Sequence, residues 1–186
     1  MLFRSLGGNA LLKWLGERGA AARELARAAA AVSAPLDLAA AGAALDQGFN
    51  RVYTARFLKT LKAKALAKLD RFPGLYDRHA LAAVKRIKDF DDLVTAPLHG
   101  YRDADDYWAR AASKPGLKAI ALPTLIVNAR NDPFMPGEVL PTPDQVSSSV
   151  TLEFPEHGGH VGFVSGPFPG SSSWLPARLL DFFARR

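Results

Sequence analysis

The chain has 186 residues, 48% of them hydrophobic and none cysteine, with a formal net charge of +6 and a pI near 9.8. That length supports one hydrophobic core, and the lack of thiols excludes disulfides, thiolate metal centres and a cysteine nucleophile. No export or membrane-spanning class is expected and the chain reads as cytoplasmic, because its start lacks a long apolar region and the alanine-rich run from Ala20 to Ala34 is broken by Arg23, Glu24 and Arg27.

In chain order, the apolar stub Met1-Leu2-Phe3 leads through Arg4 into Ser5-Leu6-Gly7-Gly8-Asn9. A serine between a strand and a helix, with glycine two residues on, is the pattern of a nucleophile elbow. An unactivated hydroxyl is a poor nucleophile, and a sharp turn aims it at a base and a carbonyl. The competing reading is a helix N-cap, for which serine is equally suited. The helix is expected from Asn9 to about Arg18, with Leu11, Leu12 and Leu15 facing inward and Gly19 as the stop. A strand from Ala29 to Ser33, closed by Ala34-Pro35, follows it.

Residues 38–117 read as helical, with turn signals at Phe72-Pro73-Gly74 and Ala96-Pro97. The stretch is too long for a simple crossover and reads as a helical cap inserted between strands. Within it Lys59, Lys62, Lys64, Lys68 and Arg71 alternate with Phe57, Leu58, Leu61, Leu66 and Leu69 at helical spacing. This predicts a solvated basic face over a core-facing stripe, with an anionic lipid or nucleic-acid surface as the competing reading. The acidic residues Asp91, Asp92, Asp103, Asp105 and Asp106 lack the glycine and spacing of a calcium loop and read as helix caps. Tyr107 and Trp108 read as core or pocket-wall aromatics, and His99 has no assigned role.

The run from Pro123 to Asn128 reads as a buried strand whose following turn carries Asp132. The strand from Ser149 to Phe154 leads into Pro155-Glu156-His157-Gly158-Gly159-His160, where glycines leave the backbone free to aim a histidine. The loop from Gly166 to Ser173 precedes an amphipathic helix from Trp174 to Phe183. A metal site on His157, His160 and Asp132 competes for the same residues, yet no third and fourth donor is evident.

The blocks SLGGNALLKWLGE, VSAPLDL, FDDLVTAPLHGY with DADDYW, LPTLIVNARNDPFMP and HGGHVGF resemble the YheT-like branch of the α/β-hydrolases, which are serine esterases and lipases. The order Ser5, Asp132, His160 is also the order of that fold. The resemblance implies an α/β fold class: the C-terminal portion of an α/β-hydrolase, starting at the elbow, with a partial, mostly parallel sheet and the helical cap at about 38–117. It implies Ser5 as nucleophile, His160 as general base, Asp132 as the orienting acid and the Leu6 N–H as an oxyanion donor. The substrate would be a small-molecule or lipid carboxylic ester, with no cofactor and no metal.

One departure is Phe3, where the usual elbow has glycine; its bulk is expected to shift the turn or the helix. The chain is expected to be a truncated product, weak or inactive alone, with an open sheet edge at which another chain could pair. Peripheral membrane contact is a further expectation, and no nucleic-acid partner is expected. The alternatives are a non-catalytic remnant or interaction module, and a basic protein that binds anionic lipid or nucleic acid.

Overall fold

The computed structural model describes residues 1–185, which divide into two compact units, residues 1–37 with those from 111 onward and residues 38–110. The first unit is built on a four-stranded parallel sheet: β1 (Leu2–Arg4), β2 (Ala29–Val32), β3 (Thr124–Val127) and β4 (Val150–Glu153), in that spatial order. In register, Phe3 lies beside Ala31, Ala31 beside Ile126, and Ile126 beside Leu152.

Both central strands are wholly buried, and alternate residues feed opposite faces. Ala29, Ala31 and Ile126 point into a cluster with Leu12 and Leu15 of α1 (Ser5–Arg18) and with Leu117 and Ile120. Ala30, Val32, Leu125 and Val127 point the other way, against Phe163 and against Leu175 and Phe182 of α8 (Trp174–Ala184). Each fully buried leucine or valine contributes roughly 1.5–3 kcal/mol relative to exposure. The alanines of β2 disfavour a strand by intrinsic preference, but they let α1 lie close to the sheet. A Cβ added at Gly8 would sit 2.9 Å from Ala34 Cβ and 3.5 Å from Ala31 Cβ.

The helix begins at Ser5, four residues before the start expected at Asn9, and ends at Gly19, whose φ of 53° breaks the helical path. Phe3 stands two residues before Ser5, at the position where bulk is expected to crowd the helix. Its ring passes beside Gly7, where an added Cβ would lie 3.3 Å from Phe3 Cδ1, and it remains half exposed on the edge strand.

The second unit comprises α2 (Leu38–Leu45), α3 (Asn50–Arg71), α4 (Arg78–Ala83), α5 (Ile87–Phe90), α6 (Ala96–Leu98) and α7, which runs from Ala104 to Ala111. Leu58, Leu81, Phe90 and Val94 form its core. The turn expected at Ala96-Pro97 is instead helical: a π-helical turn, Asp91–Thr95, leads into α6, and the chain leaves the helix only at His99. Proline has no N–H for the helical ladder, and at the first positions of a helical turn that donor is dispensable.

Asp103 caps as expected, accepting from the Asp106 N–H at 2.8 Å. Asp91 does not cap. It is buried and accepts from the Trp108 indole N–H at 2.9 Å; burial pushes its carboxyl up, against hydrogen bonds from Thr95 and Trp108 that pull it down. Among the described residues no helix is long and apolar enough to cross a membrane.

Candidate active site

Three loops at the ends of the parallel strands bring Ser5, Asp132 and His160 together. Ser5 follows β1 directly and adopts φ 49°, a left-handed conformation rare for a residue with a side chain. Such strain is tolerated where the surrounding structure holds it. Arg4, one residue earlier, donates from Nη2 to the Val161 carbonyl at 2.9 Å, tying the elbow to the histidine loop.

The histidine ring bridges the other two side chains. His160 Nε2 lies 3.1 Å from Ser5 Oγ, and Nδ1 lies 2.8 Å from Asp132 Oδ2. A carboxylate beside Nδ1 accepts, so the ring donates there and leaves the Nε2 lone pair facing the serine hydroxyl. The Asp132 side chain is fully buried and that of His160 is 16% exposed. Asp132 Oδ1 in turn accepts from the Phe134 N–H at 2.9 Å, which fixes the carboxyl plane. The Phe134 ring meets the imidazole edge to face at 4.7 Å between centroids.

The acid and base loops are joined to each other. Hydrogen bonding beyond β3 continues from the Arg130 N–H to the Pro155 carbonyl at 2.9 Å. Asn131 Oδ1 then accepts from the Gly158 and Gly159 N–H groups at 3.0 and 2.9 Å. Gly158 has no room for a side chain, since a Cβ there would be 2.7 Å from Phe163 Cδ1 and 2.8 Å from Ala129 Cβ. The Phe163 N–H closes the loop on the Gly158 carbonyl at 2.8 Å, and its ring stacks on Trp174 at 5.7 Å.

Leu6 is the second residue of α1, so its N–H has no carbonyl one turn earlier within the helix and is free to point at an anion. His157, the sequence competitor of His160, is exposed. No group of three or more His, Cys, Asp or Glu side chains suited to a metal ion occurs among the described residues. Asn131, Arg4 and Phe134 were not singled out by sequence reasoning. The Asn131-Asp132-Pro133 run reads as turn chemistry, and nothing local shows that the amide reaches a loop 27 residues away.

The parallel sheet, the strained serine at a strand end and the serine–histidine–aspartate contact sequence define a hydrolase-type α/β scaffold. The chain belongs to the alpha/beta hydrolase fold family, whose pattern it matches over residues 4–167. Within that family it is YheT-like. It is 43% identical over 181 residues to YheT of Escherichia coli (strain K12), named as an esterase, covering 96% of this chain and 52% of that one. It is also 30% identical over 180 residues to the human phospholipase ABHD3, covering 96% of this chain and 44% of that protein. A monoacylglycerol lipase from Saccharomyces cerevisiae (strain ATCC 204508 / S288c) is 30% identical over 173 residues, covering 88% of this chain and 37% of that protein. The chain thus spans about half the length, or less, of the curated relatives it matches.

Proposed function

We propose that this chain carries the acyl-transfer machinery of a serine hydrolase acting on carboxylic esters. The observation that supports the reading best is one imidazole bridging a strained serine at 3.1 Å and a buried carboxylate at 2.8 Å. Ser5 Oγ attacks the ester carbonyl while His160 Nε2 takes the hydroxyl proton. Asp132 holds the ring in the productive tautomer and stabilises the imidazolium. The Leu6 N–H donates to the oxyanion, an interaction of a kind whose loss typically costs about 10²–10³ in rate. Collapse of the tetrahedral intermediate expels the alcohol with the proton returned by His160. A water, activated by the same base, then releases the acid and restores Ser5.

Lipid or small-molecule esters are the substrate class, supported by relatives named as an esterase, a phospholipase and a monoacylglycerol lipase. The helical insertion at about residues 38–117 is the cap, and the site of action is the cytoplasm. Among the described residues β1 has a sheet neighbour on one side only, and its open edge is where another chain would pair.

A fluorophosphonate probe, which phosphonylates an activated serine, tests the reading. Labelling is expected on Ser5, abolished by Ser5→Ala and slowed by roughly a thousandfold or more in His160→Ala. A folded chain that stays unlabelled, or labelling indifferent to Ser5→Ala, refutes the mechanism and leaves a non-catalytic member of the family. Acyl-chain preference would then be read from a series of p-nitrophenyl esters.

A further inference from the structure

The 38–110 unit holds a cleft of about 750 Å³ between one face of α3 and the segment from Ala83 to Asp89. None of its lining residues belongs to the Ser5, Asp132 and His160 group. The volume is that of a pocket for a small organic ligand. Leu58 and Val84, both buried, contribute to its apolar floor.

The charge around this floor is uneven. Five cations and two carboxylates line the cleft. Asp89 is paired with Arg86 at 2.6 Å, and Asp46 lies in the field of Arg86 and Arg51. That leaves three lysines, Lys59, Lys62 and Lys85, without a counter-ion among the described residues. Lys62 donates to the Ala82 carbonyl at 2.8 Å, which uses a donor but leaves its charge intact. The ammonium groups of Lys59 and Lys85 have no hydrogen-bond or ion-pair partner among the described residues.

Three like charges around one concavity repel one another and concentrate an anion there. An ammonium acts as a point charge well suited to a phosphate, whose oxygens accept from several lysines at once. The apolar floor adds a second requirement that a free ion does not meet. Each methylene laid on such a surface strengthens binding by roughly fourfold.

We infer that this cleft binds an anionic amphiphile, with a phosphate held by Lys59, Lys62 and Lys85 and an alkyl or acyl chain lying over Leu58 and Val84. The same head-group chemistry is carried by inorganic phosphate and by anionic lipid surfaces, and the test separates the three. The site is independent of ester cleavage, so Ser5→Ala is expected to bind as the unaltered chain does.

The 186-residue chain is titrated by calorimetry with octyl phosphate below its micelle concentration, with inorganic phosphate and with octanol, while amide shifts of residues 83–86 are followed by NMR. Octyl phosphate is expected to bind at least thirtyfold more tightly than inorganic phosphate, octanol not at all, and added salt to weaken binding. Lys59→Ser with Lys85→Ser should lower the affinity at least tenfold without changing the melting temperature, since both side chains are exposed. Equal affinities for octyl and inorganic phosphate overturn the amphiphile assignment. Unchanged affinity in the double variant, or binding seen only with vesicles containing phosphatidic acid and never with the monomer, overturns the site.

Discussion

Replacing Asn131 by alanine isolates the join between the acid and base loops. The substitution deletes the acceptor of two backbone hydrogen bonds, at 3.0 and 2.9 Å, to the two glycines that immediately precede His160. Each such bond contributes about 0.5–1.5 kcal/mol net, and water can replace an exposed acceptor, so the loss of stability should be about 1–2 kcal/mol. The kinetic effect should be larger. Gly159 holds φ 58°, and without the amide the loop can relax and carry the imbidazole of His160 away from Ser5. A displacement of about 1 Å costs on the order of a hundredfold in rate. Fluorophosphonate labelling of Asn131→Ala is expected to slow by 10- to 100-fold with the chain still folded by circular dichroism. Asn131→Asp keeps an oxygen at the same place and should recover most of the rate. Wild-type labelling in the alanine variant, or an aspartate variant as slow as alanine, would show that the join does not position the base.

Two further substitutions probe packing and charge. Gly8→Ala gains up to about 1 kcal/mol of helix preference, but the new methyl would lie 2.9 Å from Ala34 Cβ beside a fully buried strand. Overpacking of about 1–3 kcal/mol should prevail, and the melting temperature should fall by several degrees; a rise would refute the close approach of α1 to β2. Asp91→Asn addresses a carboxyl raised chiefly by burial. A raised folded-state pKa means that this group's contribution to stability is complete below the ordinary carboxylate range and is lost as pH rises through the raised value. The variant lacks that loss while its amide oxygen still accepts from Trp108. Its stability relative to the unaltered chain should therefore improve as pH rises from about 4 to 7, and urea midpoints that differ by a constant amount across that range would refute the reasoning.

The strands were legible because parallel strands are short segments bounded by turns: the wholly buried apolar run from Pro123 to Asn128 contains β3, and the alternating run from Ser149 to Phe154 contains the partly exposed edge strand β4. Ser5, Asp132 and His160 could be singled out because each follows a strand end in the order of a known scaffold. The supports of that constellation left no such trace. Arg4 reaches Val161 across 157 residues and Asn131 reaches Gly158 across 27, contacts that only the folded sheet creates. The neighbour of the Phe3 ring, Gly7, lies one turn ahead on another element, a contact that only the fold creates. Of the cations on the basic face of α3, Lys59 and Lys62 line the cleft while Lys64, Lys68 and Arg71 are exposed elsewhere on the helix, a division that helical spacing alone does not show. Proline ends most helices, so Ala96-Pro97 reads as a turn in the sequence, whereas the structure sets Pro97 in the first turn of α6.

β1 is three residues long and, among the described residues, hydrogen-bonded along a single flank, yet it delivers Ser5 to the imidazole. The acid hangs from β3, which is clasped on both flanks. The base follows β4, also an edge strand, but Asn131 ties its loop to that of the acid, so thermal loosening should uncouple the hydroxyl before it separates histidine from aspartate. Any polypeptide that docks along the bare flank of β1 would tighten the mount of the nucleophile, so the reactivity of residue 5 can be tuned from a surface that touches none of the three side chains.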